Sequence, residues 1–354
     1  MSSTQASKHL AFSCVMLFIT LTCSLILSEI LLRITGVVSA RSVHSASEDV
    51  FPLIPGIFEP GQALTVDVIP QLTHRISINS LGYRGRAISL TKHPETFRIL
   101  CIGDSFTFGD KVNDDATWPY YLERLMEQQH INAEVINAGV AGTTIDDQLY
   151  FLKRSIVLSP DMVILMFSEN DIDNLGEPEP YYVTLEKQRR VKSLPIVRNV
   201  YHWVRDTALF HFALYVRKWL DMVSQKNGNG RDAAHHQRLW RRYQKLLSEM
   251  KTYLEGLGIQ FVFTIFPSNY RFQEQVNHNT VYPHLDRIEL ATRRMGIDTI
   301  NLMEPLRQTK MTRDELYLLP YDGHPSGLAY ARAGEAIFEF LQQRHGDNLI
   351  GYTH

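Results

Sequence analysis

The sequence predicts an α/β protein whose parallel sheet carries helices on both faces, set behind an N-terminal transmembrane helix. Three observations carry that expectation. From Phe97 onward, short apolar runs alternate with stretches of helical periodicity, the pattern of strand–helix–strand units. The first run, Phe97–Ile102, breaks at Gly103-Asp104-Ser105, as a buried strand does when it leaves a sheet through a turn. Leu10–Ser28 runs for 19 residues without a charge, close to what a bilayer core requires of a helix.

Taken in order, Lys8 precedes the apolar run, and Glu29 and Arg33 follow it within a further apolar turn. A signal peptide competes with an anchor. Val38 and Ala40 would suit a cleavage site, but they lie far beyond the apolar core, and Cys23 has no lipobox ahead of it. Residues 1–34 are therefore expected to be an uncleaved anchor, touching the membrane through 10–34. Lys8 set against Arg33 and Arg41 leaves its orientation open. Residues 35–95 are rich in Pro, Gly and Ser and read as a linker plus an edge segment. Within them, Ile78 to Gly85 has turn chemistry throughout.

The alternation then fills residues 96–346. After Phe97–Ile102, a helix opens at Thr117-Trp118-Pro119, with Thr117 as cap, and reaches about Gln129. Ala133–Ala138 is a second strand, Ile145–Leu158 a helix and Met162–Phe167 a third strand. Residues 172–234 interrupt the pattern. Tyr201, Trp203, Phe210, Phe212, Tyr215 and Trp219 follow a basic piece (Arg189, Arg190, Lys192, Arg198), and Lys226 to Gly230 closes the segment. It reads as an inserted helical pair packed on the sheet, with a lid or a membrane-facing surface as the sharper alternative. Alternation resumes with a helix at Gln237–Leu257, a strand at Gln260–Phe266, a helix near Leu285–Met295, a strand at Thr299–Leu302 and a last helix from Gly327 to Arg344.

Composition narrows the function. The 354 residues, 44% hydrophobic and 21% charged, suffice for one large core with appended segments, and a formal charge of −2 argues against nucleic acid as partner. Cys14, Cys23 and Cys101 offer neither a disulfide framework nor metal spacing. The Gly-rich strand end is not a P-loop, because Gly103 and Gly109 are one residue too far apart and Asp110 precedes Lys111. No G-x-G-x-x-G fingerprint is present, and Thr107 stands where a G-x-S-x-G elbow needs glycine. What remains is a serine at the mouth of a strand.

A serine hydroxyl needs a base, an orienting acid and donors for an oxyanion. His324, in Tyr321-Asp322-Gly323-His324-Pro325 before the last helix, is the candidate base, and Asp322 is close enough to hold its tautomer. Asp-x-His could also be a surface turn or a pair of metal ligands, but no third ligand cluster accompanies it, so no metal or other cofactor is expected. His235-His236 lies in a polar stretch and reads as solvated. Asn137-Ala138-Gly139-Val140-Ala141-Gly142 and Ser168-Glu169-Asn170-Asp171 follow the next two strands and can offer a backbone N–H and a side-chain amide.

These blocks, in the order Ser, Gly, Asn and Asp-His, resemble those of the SGNH (GDSL-type) hydrolases over about Arg98 to Leu341. The resemblance implies a flavodoxin-like three-layer α/β/α sandwich with a five-stranded parallel sheet. By motif it makes Ser105 the nucleophile, His324 the base and Asp322 its partner. The Ser105 and Gly142 N–H groups and the Asn170 amide become the oxyanion hole. Two departures stand out. One residue rather than two separates Asp322 from His324, similar to the branch that O-acetylates exopolysaccharides, and Ser168 stands where glycine is usual. Phe106 in place of leucine touches no catalytic atom.

The expected activity is a membrane-anchored serine esterase acting on an acyl ester, O-acetyl included, through an acyl-enzyme on Ser105. An O-acyltransferase modifying a cell-surface carbohydrate uses the same groups, so an acylated polysaccharide or a lipid are both open as substrates. A non-catalytic carbohydrate-binding protein on the same fold is the remaining alternative. The short N-terminal tail and the resemblance together place the large domain outside the cytoplasm.

Overall fold

Successive side chains of a strand point to opposite faces of its sheet, and here each face becomes a core. The computed structural model describes residues 3–35, 43–46, 50–51, 53–66, 70–175, 179–192, 196, 199–200, 203–204, 207–210, 212–213, 216, 233–273 and 285–352. A short antiparallel hairpin, β1 (Ala63–Val66) and β2 (His74–Ser77), precedes the central sheet. That sheet consists of β3 (Phe97–Ile102), β4 (Ala133–Asn137), β5 (Met162–Ser168), β6 (Gln260–Phe266) and β7 (Asp298–Asn301). Every pairing is parallel, in the order β4-β3-β5-β6-β7. Counted from β3 this is the flavodoxin-like order, in which winding reverses between the first and third strands. The crevice outside the carboxyl ends of β3 and β5 is where such a sheet holds ligands.

Phe97, Ile99 and Cys101 face one side, against Trp118 and Leu122 of helix Trp118–Gln128 and Tyr330 and Ile337 of helix Gly327–Ile350. Leu100 and Ile102 face the other, against Leu152 of helix Ile145–Ser155, Leu247 of helix Ala233–Gly256 and Ile288 of helix Leu285–Arg294. Three layers result, and each fully buried apolar side chain contributes about 1.5–3 kcal/mol. At the start of β3, Arg98 is fully buried, which is tolerable because Glu134 Oε2 lies 2.6 Å away and the Leu158 carbonyl accepts a bond at 2.6 Å.

Several elements differ from expectation. Thr117 is the residue before the helix, but its hydroxyl donates to the Asp114 carbonyl (3.2 Å) and caps nothing; Pro119 in the first turn, where no intrahelical N–H bond is needed, favours the start. The helix from Ile145 ends at Ser155 and continues as a tighter turn through Leu158. The last helix runs beyond Arg344 to Ile350, past non-helical backbone at His345. Among the described residues, the segment before Phe97 adds no strand to the central sheet; it forms the separate hairpin and meets β4 through the bridge of Arg84 to Asn137.

Within the N-terminal helix Ser3–Thr35, the stretch Phe12–Thr35 holds an unburied 18-residue window of mean hydropathy 2.3 and is long and apolar enough to cross a bilayer. Within 172–234, helix Tyr181–Lys192 lies on helix Ile145–Ser155: Tyr182 stacks on Tyr150 at 4.6 Å, and the Tyr150 hydroxyl donates to Glu186 (2.8 Å). Val38 to Arg41, Tyr201, Tyr215, Trp219 and Lys226 to Gly230 lie outside the described residues.

Candidate active site

The turn after β3 is built to expose one hydroxyl. A side chain at Gly103 would place its Cβ 2.2 Å from Thr107 Oγ1 and 2.9 Å from the Met166 carbonyl, so only glycine fits between β3 and β5. Asp104 caps the short helix Ser105–Phe108, its carboxylate accepting the Phe106 N–H at 2.9 Å. Ser105 is the first residue of that helix, so its own N–H has no intrahelical acceptor. Arg84, buried under the loop, donates to the carbonyls of Phe108, Gly109 and Val112 (2.6–2.8 Å) and to Asp114. The turn-rich 78–85 segment thus buttresses the serine helix, a role nothing in its turn signature announces.

The loop before the last helix brings the other two groups. His324 Nε2 lies 2.8 Å from Ser105 Oγ, and His324 Nδ1 lies 2.5 Å from Asp322 Oδ1. The same Asp322 oxygen accepts the His324 backbone N–H at 2.8 Å, which is how a carboxylate only two residues away reaches the ring. A carboxylate facing Nδ1 keeps the proton there and leaves Nε2 as acceptor for the serine hydroxyl. The Phe106 ring lies 5.6 Å from the imidazole and 5.4 Å from Phe266.

Burial pulls the His324 pKa down, but the Asp322 hydrogen bond and the carboxylates of Asp110, Asp322 and Asp104 outweigh it and hold it above the ordinary 6.5. Burial pushes Asp322 up, and its hydrogen bond to His324 and the positive charges of His324 and Lys111 bring it below the usual 3.8. Asp110, three positions after the strand-end helix begins its second half, is likewise held low against burial, by Lys111 and His324. Asp110 and Lys111 form an ion pair at 3.1 Å beside the imidazole.

The turn after β5 is where Ser168 replaces the usual glycine. Its hydroxyl lies 2.8 Å from Asp104 Oδ2 and in short contact with Asn170 Oδ1, while Asn170 Nδ2 lies 3.4 Å from Asp104 Oδ2. Burial raises the Asp104 pKa, opposed by the bonds it accepts from the Phe106 N–H and the Ser168 hydroxyl and by the charge of His324. Asp171, fully buried, accepts the Ser168 N–H at 3.1 Å and is pushed well up by burial and by Asp104.

A second tie joins this turn to the Asp-x-His loop. Glu169 accepts two bonds from Arg271 (2.6 and 2.9 Å) and the Ser268 N–H and hydroxyl, and Asn269 Nδ2 donates to the Gly323 carbonyl at 3.2 Å. Sequence reasoning missed Glu169, Arg271, Asn269 and Asp110; a glutamate inside a strand-end turn was the one available signal.

The structure therefore brings Ser105, His324 and Asp322 into one relay and puts Asn170 beside Asp104, the residue preceding the serine. Gly142 has a left-handed backbone (φ 78°) and lines a neighbouring cleft; it makes no hydrogen bond to the relay among the described residues. The cleft, about 500 Å³, is walled by Thr144, Asp146, Asp147, Tyr181 and Arg242.

A serine–histidine–aspartate relay at the switch point of a flavodoxin-like sheet is the arrangement of an α/β serine hydrolase. The chain belongs to the GDSL-like lipase/acylhydrolase family, whose model matches residues 101–332. It is accordingly an esterase of the serine type. Comparison with curated proteins finds no match. Among solved structures it is similar to a G-D-S-L family lipolytic protein from Desulfitobacterium hafniense, with 16% identity over 69% of this chain and 99% of that one and a TM-score of 0.41. It is also similar to the acetylxylan esterase Axe2 from Geobacillus stearothermophilus, with 13% identity over 69% and 94% and a TM-score of 0.42. A GDSL-like lipase from Bacteroides thetaiotaomicron shares 14% identity over 72% and 92%, with a TM-score of 0.40.

Proposed function

We propose that the chain hydrolyses an acyl ester through an acyl-enzyme on Ser105. The observation that carries this is the continuous relay from Ser105 Oγ through both nitrogens of His324 to Asp322, at 2.8 and 2.5 Å. In this reading His324 takes the serine proton as Oγ attacks the ester carbonyl and returns it to the leaving alkoxide. Water, activated by the same imidazole, then releases the acid. The Ser105 N–H, the Gly142 N–H and the Asn170 amide meet the developing oxyanion.

The polar walls of the cleft at Gly142, with Asp146, Asp147 and Arg242 among them, suit a hydroxyl-rich alcohol better than a lipid tail. A small acyl group on a carbohydrate fits that chemistry. Residues 1–34 act as the anchor, 35–95 as linker and buttress, and 96–346 as the catalytic domain on the extracytoplasmic side. Ser105→Ala and His324→Ala are each expected to remove nearly all hydrolysis of a short-chain p-nitrophenyl ester, with the double variant scarcely worse than either single. Additive losses in folded variants would show that the two residues do not act as one unit.

A further inference from the structure

Glu29 is a carboxylate within the apolar helix, six positions before its end at Thr35. With a rise of about 1.5 Å per residue it sits roughly 9 Å below that end, near the edge of a hydrocarbon core about 30 Å thick. An ionisable group at that depth is costly unless it is paired. Arg33 is one partner, at 2.6 Å. The others come from far along the chain: Glu29 Oε1 accepts the Ala208 N–H and Oε2 the Leu209 N–H, both at 2.9 Å. Ala208 is fully buried. The insertion between β5 and β6 is thus fastened to the anchor at the depth where the anchor leaves the bilayer.

Just before that fastening, helical residues Ile196, Val200, Trp203 and Val204 are 79, 55, 73 and 40% exposed. In the sequence they recur at a spacing of four, three and one, the pattern of a single apolar helical face. Phe212, beyond the fastening, is also exposed. Leaving these apolar groups in water would be unfavourable, and a tryptophan among them suits the boundary between acyl chains and headgroups. Between residues 181 and 220 the sequence carries eight Lys and Arg (187, 189, 190, 192, 198, 205, 217, 218) against Glu186 and Asp206, the balance of a segment that meets anionic headgroups.

We infer that the exposed apolar residues Ile196, Val200, Trp203, Val204 and Phe212 make a second membrane contact, lying in the interface of an anionic bilayer and clamped to the anchor by Glu29. The inference rests on the reading of residues 10–34 as a membrane span. It gives the insertion a membrane-facing role rather than that of a lid: its apolar surface is turned to lipid, and the anchored domain is held at two points instead of swinging on one helix.

The test uses the full chain with Cys14→Ser and Cys23→Ser, leaving the buried Cys101 in place. An environment-sensitive nitrobenzoxadiazole probe is attached at Val200→Cys or, in a second preparation, at Leu21→Cys. Each is reconstituted into phosphatidylglycerol vesicles with and without brominated acyl chains. Bromine is expected to cut the emission of both probes at least roughly twofold, since an interfacial residue lies within reach of the upper acyl chain. Adding Glu29→Leu should bring the ratio of Val200 emission with and without bromine back toward one and leave the Leu21 ratio as it was. Quenching at Leu21 without quenching at Val200 overturns the second contact while the anchor stands, whereas no quenching at Leu21 removes the anchor itself. A Val200 probe that shifts with protein concentration and ignores bromine would show that a second copy, not lipid, covers this face.

Discussion

Near neutral pH a serine hydroxyl is activated only by a base that is itself unprotonated, so the charge around His324 sets the pH at which Ser105 works. Asp322, Asp110 and Asp104 together hold the imidazole above its ordinary 6.5 against the pull of burial. A raised pKa means that the imidazolium persists to higher pH, so kcat/KM should climb as pH rises through a value above 6.5. Asp110→Asn removes one of those charges without touching the Ser–His–Asp contacts. Its acid limb is expected to move to lower pH, and a limb that stays or moves upward would show that Asp110 does not face the imidazole.

Ser168 makes a different kind of contribution at the same scale. It is buried and bridges Asp104 and Asn170, so it orients an amide that a glycine would leave to the backbone alone. Ser168→Ala should lower kcat roughly 10- to 100-fold, the effect of loosening a group that positions a catalytic donor, with little change in KM. The unfolding free energy should fall by about 1–3 kcal/mol, because the buried Asp104 loses a hydrogen bond. An unchanged kcat would mean that Asn170 is held by its turn and not by this hydroxyl.

At the scale of elements, the Ser268–Arg271 segment, which reaches the loop before the last helix through Asn269, is fixed to the turn after β5 by Glu169. Its side chain is 1% exposed and that of Arg271 is 9% exposed, so removing the guanidinium would leave a buried carboxylate without its cation. Arg271→Ala is expected to cost about 3–5 kcal/mol in urea unfolding, the range for breaking a buried pair. A loss under about 1 kcal/mol would show that Ser268 alone satisfies Glu169. This tie was not legible in the sequence because its partners stand 102 positions apart: Glu169 lies in the Ser168–Asp171 block, but nothing marks Arg271 as its partner. What could be read were features with local causes. The short, mostly apolar run Phe97–Ile102 marks a buried strand, a glycine with no room for a Cβ marks its exit, and Asp-x-His before a helix marks a loop that can return a ring to the sheet. Sheet order was legible only through the resemblance, because strand neighbours are settled by packing between distant segments. Residues 35–95 read as a linker plus an edge segment, but the pairing of Ala63–Val66 with His74–Ser77 is not legible there, because short polar-flanked β runs do not show which partner they choose.

At the scale of the whole molecule, the sheet's winding reversal places the ends of β3 and β5 side by side, and the last helix brings the base to the same crevice. Two cores, one on each face, hold those strand ends while the insertion leaves from the rim and reaches the anchor helix. The fold thus separates its tasks. The strands set the positions of the reacting groups, and the loops set their protonation and orientation. All of it converges on the claim that Ser105 becomes covalently acylated. The most direct measurement is intact-mass analysis of the full chain after treatment with a fluorophosphonate, alongside Ser105→Ala. One phosphonyl group is expected on the wild type, located at Ser105 by peptide mapping, and none on the variant. Labelling that persists in Ser105→Ala, or a wild type that turns over an ester yet takes no label, would contradict the account.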